Sequence, residues 1–132
     1  MRKLQVTSTI QVLLVLSATL VCVGCSQAHP SKEQLVGAWK VEHNFGTETL
    51  VLLADGTYTQ KLVKKGRQST ENKGDWELRL SELILHDALV FSTPFGEREP
   101  NAPRRDWTLD TLHEWGRLIL SFSPDLPGFH KE

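Results

Sequence analysis

The stretch ETLVLLADGTYTQKLVK, residues 48–64, places two strand-like segments on either side of Asp55-Gly56. Asp-Gly is a strong hairpin signal, because both residues tolerate the positive φ that a two-residue turn demands. ETLVLLA is mostly apolar. In TYTQKLVK, Tyr58, Gln60 and Leu62 fall on one face of a period-two strand. The same alternation extends in both directions. AWKVEHN sets Trp39 and Val41 against Lys40 and Glu42. GDWELRLS sets Trp76, Leu78 and Leu80 inward against Asp75, Glu77 and Arg79, after a polar turn in KKGRQ. ELILHDALVFS reads as one or two further strands. DWTLDTL and RLILSFS form a last hairpin that turns around Glu114-Trp115-Gly116. Between them lies TPFGEREPNAPRR, a long loop with three prolines and no periodicity. About seven or eight short strands with short connections predict an all-β fold, a small antiparallel up-and-down β-barrel. Closure removes the unpaired edges that an open sheet would expose. Only PSKEQLVGAW competes, as a short helical turn with Ser31 as N-cap and Gly37 at its end.

The N-terminus has a different grammar. Met1-Arg2-Lys3 is basic, VLLVLSATLVCVG is apolar, and SQAHPSKEQ turns polar at once. That is the order of a secretory signal peptide, and the apolar run is short for a transmembrane span. Both cysteines stand here in C-x-x-C spacing. A redox dithiol would need a strand-to-helix context inside a βαβ fold, and a zinc site would need more ligands than two cysteines. Cys22-Val23-Gly24-Cys25 resembles the lipobox of bacterial lipoprotein precursors; a plain cleaved leader is the rival reading. The resemblance implies removal of residues 1–24 and lipid attachment at Cys25, as diacylglycerol plus an amide-linked acyl chain such as palmitate. Ser26 then resembles an outer-membrane sorting signal, so the protein is expected in the cell envelope, facing the periplasm. Several acyl chains suffice for stable anchoring. Residues 25–34 are read as a tether and residues 35–132 as the single barrel domain.

A 24-residue leader taken from 132 residues leaves 108, enough for one modest core. Removing Arg2 and Lys3 from the 15 basic residues leaves 13 against 16 acidic ones. This balance argues against nucleic-acid binding. LVGAWKV, LLADGTYTQ and GDWEL in that order are similar to bacterial lipocalin-like domains, over roughly residues 35–85. The resemblance implies a ligand-binding cup. Trp39, Tyr58, Trp76, Leu78, Leu85 and Trp107 are the candidate lining for a small apolar ligand. The plainer role for the tryptophans is to anchor the core, one per hairpin.

Arg98, Arg104 and Arg105 in the proline loop, with Trp115 at its turn, are the candidate contacts for a protein partner. Lys61, Lys64, Lys65 and Arg67 gather around one turn, as a solvated tip or a contact for anionic polymers. Five histidines are present, and none forms a pair with metal-ligand spacing. No G-x-S-x-G, H-E-x-x-H or catalytic cysteine motif occurs, so neither a cofactor nor enzymatic activity is expected. The expected role is binding of a small apolar ligand or an envelope protein. The alternative is a structural or stress-related envelope protein with a filled barrel and no ligand.

Overall fold

A computed structural model describes residues 29–66, 69–93, 96–97 and 103–132. Among the described residues, a single helical turn, α1 (Lys32–Leu35), precedes ten strands: β1 (Gly37–His43), β2 (Gly46–Leu52), β3 (Thr57–Lys64), β4 (Thr70–Arg79), β5 (Glu82–Ala88), β6 (Ser92–Thr93), β7 (Gly96–Glu97), β8 (Arg105–Glu114), β9 (Arg117–Ser121) and β10 (Phe129–Lys131). Eight of them close an antiparallel barrel in the order β1-β10-β9-β8-β5-β4-β3-β2, while β6 and β7 form a separate small hairpin. Strands adjacent in sequence are adjacent in the barrel, apart from the insertion between β5 and β8. This is the up-and-down closure expected from the alternation.

The register defines the two ends. Gly37 pairs with Leu52, Thr57 with Asp75 and Arg79 with Glu82. Glu82 pairs with Asp110, and Glu114 with Arg117. The start of β1 and the turns at 53–56, 80–81 and 115–116 therefore share one end. The other end, the mouth, receives residues 44–45, the end of β3, the start of β4, and residues 89–93, 96–97, 103–104 and 122–128.

Helix α1 stoppers the first end. Its capping box is complete: Ser31 N–H donates to Gln34 Oε1 at 2.8 Å, and Gln34 N–H donates to Ser31 Oγ at 3.3 Å. The helix starts inside the span read as tether, because Leu35, four residues after the cap, is wholly buried in the barrel. Trp39 Nε1 donates to Leu35 O at 2.8 Å, which ties plug to strand. Around them Leu50, Leu52, Leu83, Leu85, Leu109, Leu120 and Trp76 fill the closed half.

Several local features depart from the sequence reading. Only Gly56 takes positive φ in the β2–β3 hairpin, at 88°; Asp55 does not. The loop is a three-residue one, closed by Gly56 N–H to Leu53 O at 3.1 Å and Leu53 N–H to Thr57 O at 2.9 Å. Asp55 instead accepts from Thr57, from its amide at 2.9 Å and its hydroxyl at 2.7 Å. These bonds, the hydroxyl's first, hold its carboxyl below the ordinary value. Leu80 does not point inward. It occupies the β4–β5 turn at φ 54° and is 74% exposed, since the strand ends at Arg79. The loop read as aperiodic contains the β6–β7 hairpin, and the C-terminal tail contributes β10, which seals the barrel.

Candidate functional site

The barrel interior changes character from one end to the other. Towards the mouth, inward positions on β1 to β4 carry His43, Glu48, Gln60 and Asn72, the last three at most 3% exposed. Alternation puts them there, since Glu48, Gln60 and Asn72 share the inward face with Leu50, Tyr58 and Trp76.

Part of this polar set has a structural task. Between Leu85 and Ala88 the β5–β8 register slips, and Asp87 adopts φ 55°. A bulge of this kind withdraws backbone groups from the ladder. Tyr58 OH donates to His86 O at 2.7 Å, and Asn72 Nδ2 donates to Asp87 O at 2.9 Å. Gln60 clasps Leu89 from both sides: its Nε2 donates to Leu89 O at 2.5 Å and its Oε1 accepts Leu89 N–H at 3.2 Å. The Tyr58 hydroxyl is pushed up to about 12, first by burial and then by the charge of Asp87.

The remainder is not used in this way. Glu48 is 1% exposed, and both of its oxygens are engaged: Gln60 Nε2 donates to Oε1 at 2.9 Å, and His43 Nε2 lies 3.0 Å from Oε2. The His43 ring stacks on Phe45, with centroids 4.8 Å apart and planes within 7°. Across the mouth, Trp107 meets Phe122 and Phe129 edge-on at 5.6 and 6.0 Å, and its buried indole N–H has no hydrogen-bond partner among the described residues. A buried donor left unpaired costs about 1–3 kcal/mol. His43, Glu48, Trp107, Phe122 and Phe129 line a cavity of about 10 Å³, room for roughly one water. Outside it lies a groove of about 330 Å³ between Phe45, Gly96 and Glu97, which shares His43, Ser92, Leu126 and Pro127 with the cavity. An ion pair from Lys64 to Glu97 clamps the β6–β7 hairpin to the rim.

The residues proposed as ligand lining are dispersed along the barrel. Trp39, Tyr58 and Leu85 are almost wholly buried, and Leu78 is half-buried against the same core. Trp76 is anchored by its indole N–H on Leu53 O at 2.9 Å. Only Trp107 of the six reaches the cavity. The proposed partner contacts are separated as well. Arg104 and Arg105 are exposed near the mouth, whereas Trp115 is fully exposed at the opposite end of β8. Ten residues at about 3.3 Å each put the two ends of that strand roughly 30 Å apart. Arg98 and Cys25 lie outside the described residues. Among the described residues, no three His, Cys, Asp or Glu side chains gather as a metal site would require.

The sequence reading did not single out His43 or Glu48. A signal was available: Glu48 and Gln60 are polar residues at inward positions of otherwise apolar alternations. Comparison with protein-family models, with curated proteins and with solved structures finds no match for this chain.

Proposed function

We propose that the chain is an envelope lipoprotein, anchored through Cys25 in the outer membrane and facing the periplasm, whose barrel binds a small ligand at its mouth. The ligand is largely apolar and carries one hydrogen-bond acceptor. The observation that carries this reading is the Trp107 indole N–H, without a hydrogen-bond partner among the described residues, in a cavity walled by Phe122, Phe129, His43 and Glu48. An acceptor there would satisfy a buried donor, and an aromatic or aliphatic body would extend over His43 and Phe45 into the outer groove. The cavity itself admits little more than a water, so the ligand's bulk sits in the groove. The role is binding rather than catalysis: the Glu48 oxygens are occupied, and the reading assigns no nucleophile.

Native mass spectrometry of the protein purified from its own cells, alongside Trp107→Phe, tests the reading. A co-purifying small molecule that is lost or weakened in the variant supports it. A bare mass for both proteins favours the second reading, a structural envelope protein with a filled barrel. That alternative draws on the closed half, where Leu35, Trp39, Leu50 and Leu85 are fully buried. The anchor is tested separately by Cys25→Ala and cell fractionation, in which a protein that remains equally membrane-bound overturns it.

A further inference from the structure

The stoppered end of the barrel carries an apolar rim. Of the six exposed large apolar residues among those described, Leu53, Leu80, Leu112 and Trp115 lie at this end. Three of its hairpin turns each present one: Leu53 in 53–56, Leu80 in 80–81 and Trp115 in 115–116. Two of these residues sit where a large side chain is disfavoured. Leu80 has φ 54° and Trp115 φ 51°, a left-handed conformation that Asn or Gly fills at lower cost. Trp115 touches so little of the barrel that it is fully exposed. A strained and solvated tryptophan adds nothing to this fold.

The chain enters at the same end. His29 and Pro30 line, together with Ser81, Thr111, Leu112 and His113, a crevice of about 630 Å³ beside the β4–β5 turn and β8. Cys25 is four residues upstream of His29, a distance of at most about 14 Å for extended chain. A lipid on Cys25 therefore holds this rim close to the bilayer.

We propose that the stoppered end docks on the phospholipid surface, with Trp115 and Leu80 immersed in the headgroup region as anchors. The proposal rests on the lipid-anchor reading above. It fixes the molecule's orientation: α1 faces the membrane and the mouth faces away into the periplasm. Tryptophan, with an apolar ring and a polar N–H, suits the membrane interface. The rim's charges are mixed, with Lys32, Arg79, Arg117 and Lys131 set against Glu33, Asp55, Glu82, Glu114 and Glu132. Attachment is therefore apolar rather than electrostatic, and insensitive to salt.

Of the chain's four tryptophans, Trp39, Trp76 and Trp107 are buried, so quenching from outside reports on Trp115. The membrane-extracted protein is placed in vesicles of phosphatidylethanolamine with a minor share of phosphatidylglycerol, with or without brominated acyl chains. Intact mass reads the acylation of Cys25 independently. The expected result is a blue-shifted emission that brominated lipid quenches and aqueous acrylamide does not. Trp115→Asn should abolish that lipid quenching, and Leu80→Asn should reduce it. If the mass shows Cys25 bare, the anchor reading fails. Docking is then tested by coupling Cys25, the one thiol from residue 25 onward, to a maleimide lipid in the same vesicles. Trp115 fully open to acrylamide in a protein anchored by either route overturns the proposal.

Discussion

Tyr58 is the chain's single tyrosine, and its position makes its titration a direct report on the interior. Its hydroxyl is held at about 12 against an ordinary 10.0, first by burial. A proton held more tightly in the folded state stabilises the fold below pH 10.0, and that contribution declines as pH rises towards 12. Alkaline titration should show no tyrosinate absorbance near pH 10.0 in the native protein, and ionisation should coincide with unfolding; an ordinary titration curve would refute the buried placement. Trp115 poses the opposite case, a side chain that the fold does not use. Trp115→Asn should raise stability to urea by about 1 kcal/mol, because Asn tolerates positive φ and almost no buried contact is lost. A loss of stability would mean that the ring packs against the barrel. Both residues were visible in the sequence, Tyr58 through its alternation and Trp115 through its place at a turn. The strain at Trp115 was not visible, because φ depends on how closely two strands are joined.

Strand β4 and the bulge in β5 depend on each other. Gly74 faces Tyr58 across the β3–β4 ladder, and a Cβ there would run into the His86 carbonyl oxygen and stand 2.8 Å from Tyr58 Cε1 and 2.9 Å from its hydroxyl. Gly74→Ala should therefore cost about 1–3 kcal/mol in thermal or urea unfolding, by displacing both the His86 carbonyl and the Tyr58 ring that caps it. On the outer face of the bulge, His86 Nδ1 lies 3.1 Å from Asp106 and its Nε2 3.5 Å from Glu77. The hydrogen bond to Asp106 is the main cause that raises the imidazole above its ordinary 6.5. A raised folded value means the contribution is complete below pH 6.5 and disappears as pH climbs through the higher folded value. Unfolding free energy measured across that range should fall with pH, and His86→Gln should flatten the slope. The strands themselves were legible, since period-two alternation survives wherever one face is buried. The bulge was not, because it is a mismatch between two strands rather than a property of either. The Tyr58, Gln60 and Asn72 contacts that satisfy it were hidden for the same reason.

Closure of the molecule rests on a short seam. Strand β10 joins β1 through Trp39–Lys131 and Lys40–His130, and Glu132 N–H donates to Ala38 O at 3.0 Å. Lys131 Nζ adds a bond of 2.7 Å to Gln34 O, linking the tail to the helical plug. Truncation after Gly128 removes Phe129 from the core, at a cost of about 3–5 kcal/mol, and leaves β1 and β9 as open edges. The truncated protein should melt markedly lower and aggregate; a soluble monomer with an unchanged melting temperature would show that the seam is dispensable. By itself, the sequence determined the all-β class, most inward strand faces, the capped turn and the hairpin turns at Asp55-Gly56 and Trp115-Gly116. Each depends on neighbours a few residues apart, through side-chain periodicity and turn chemistry. Only the tertiary structure decided which strands close the barrel, that Leu35 and Trp39 stopper one half of it, and that His43, Glu48 and Trp107 meet at the mouth. It alone brought Leu53, Leu80 and Trp115 to the end where the chain enters. Those outcomes depend on register and closure, which join residues far apart in the chain and leave no local mark on composition or spacing.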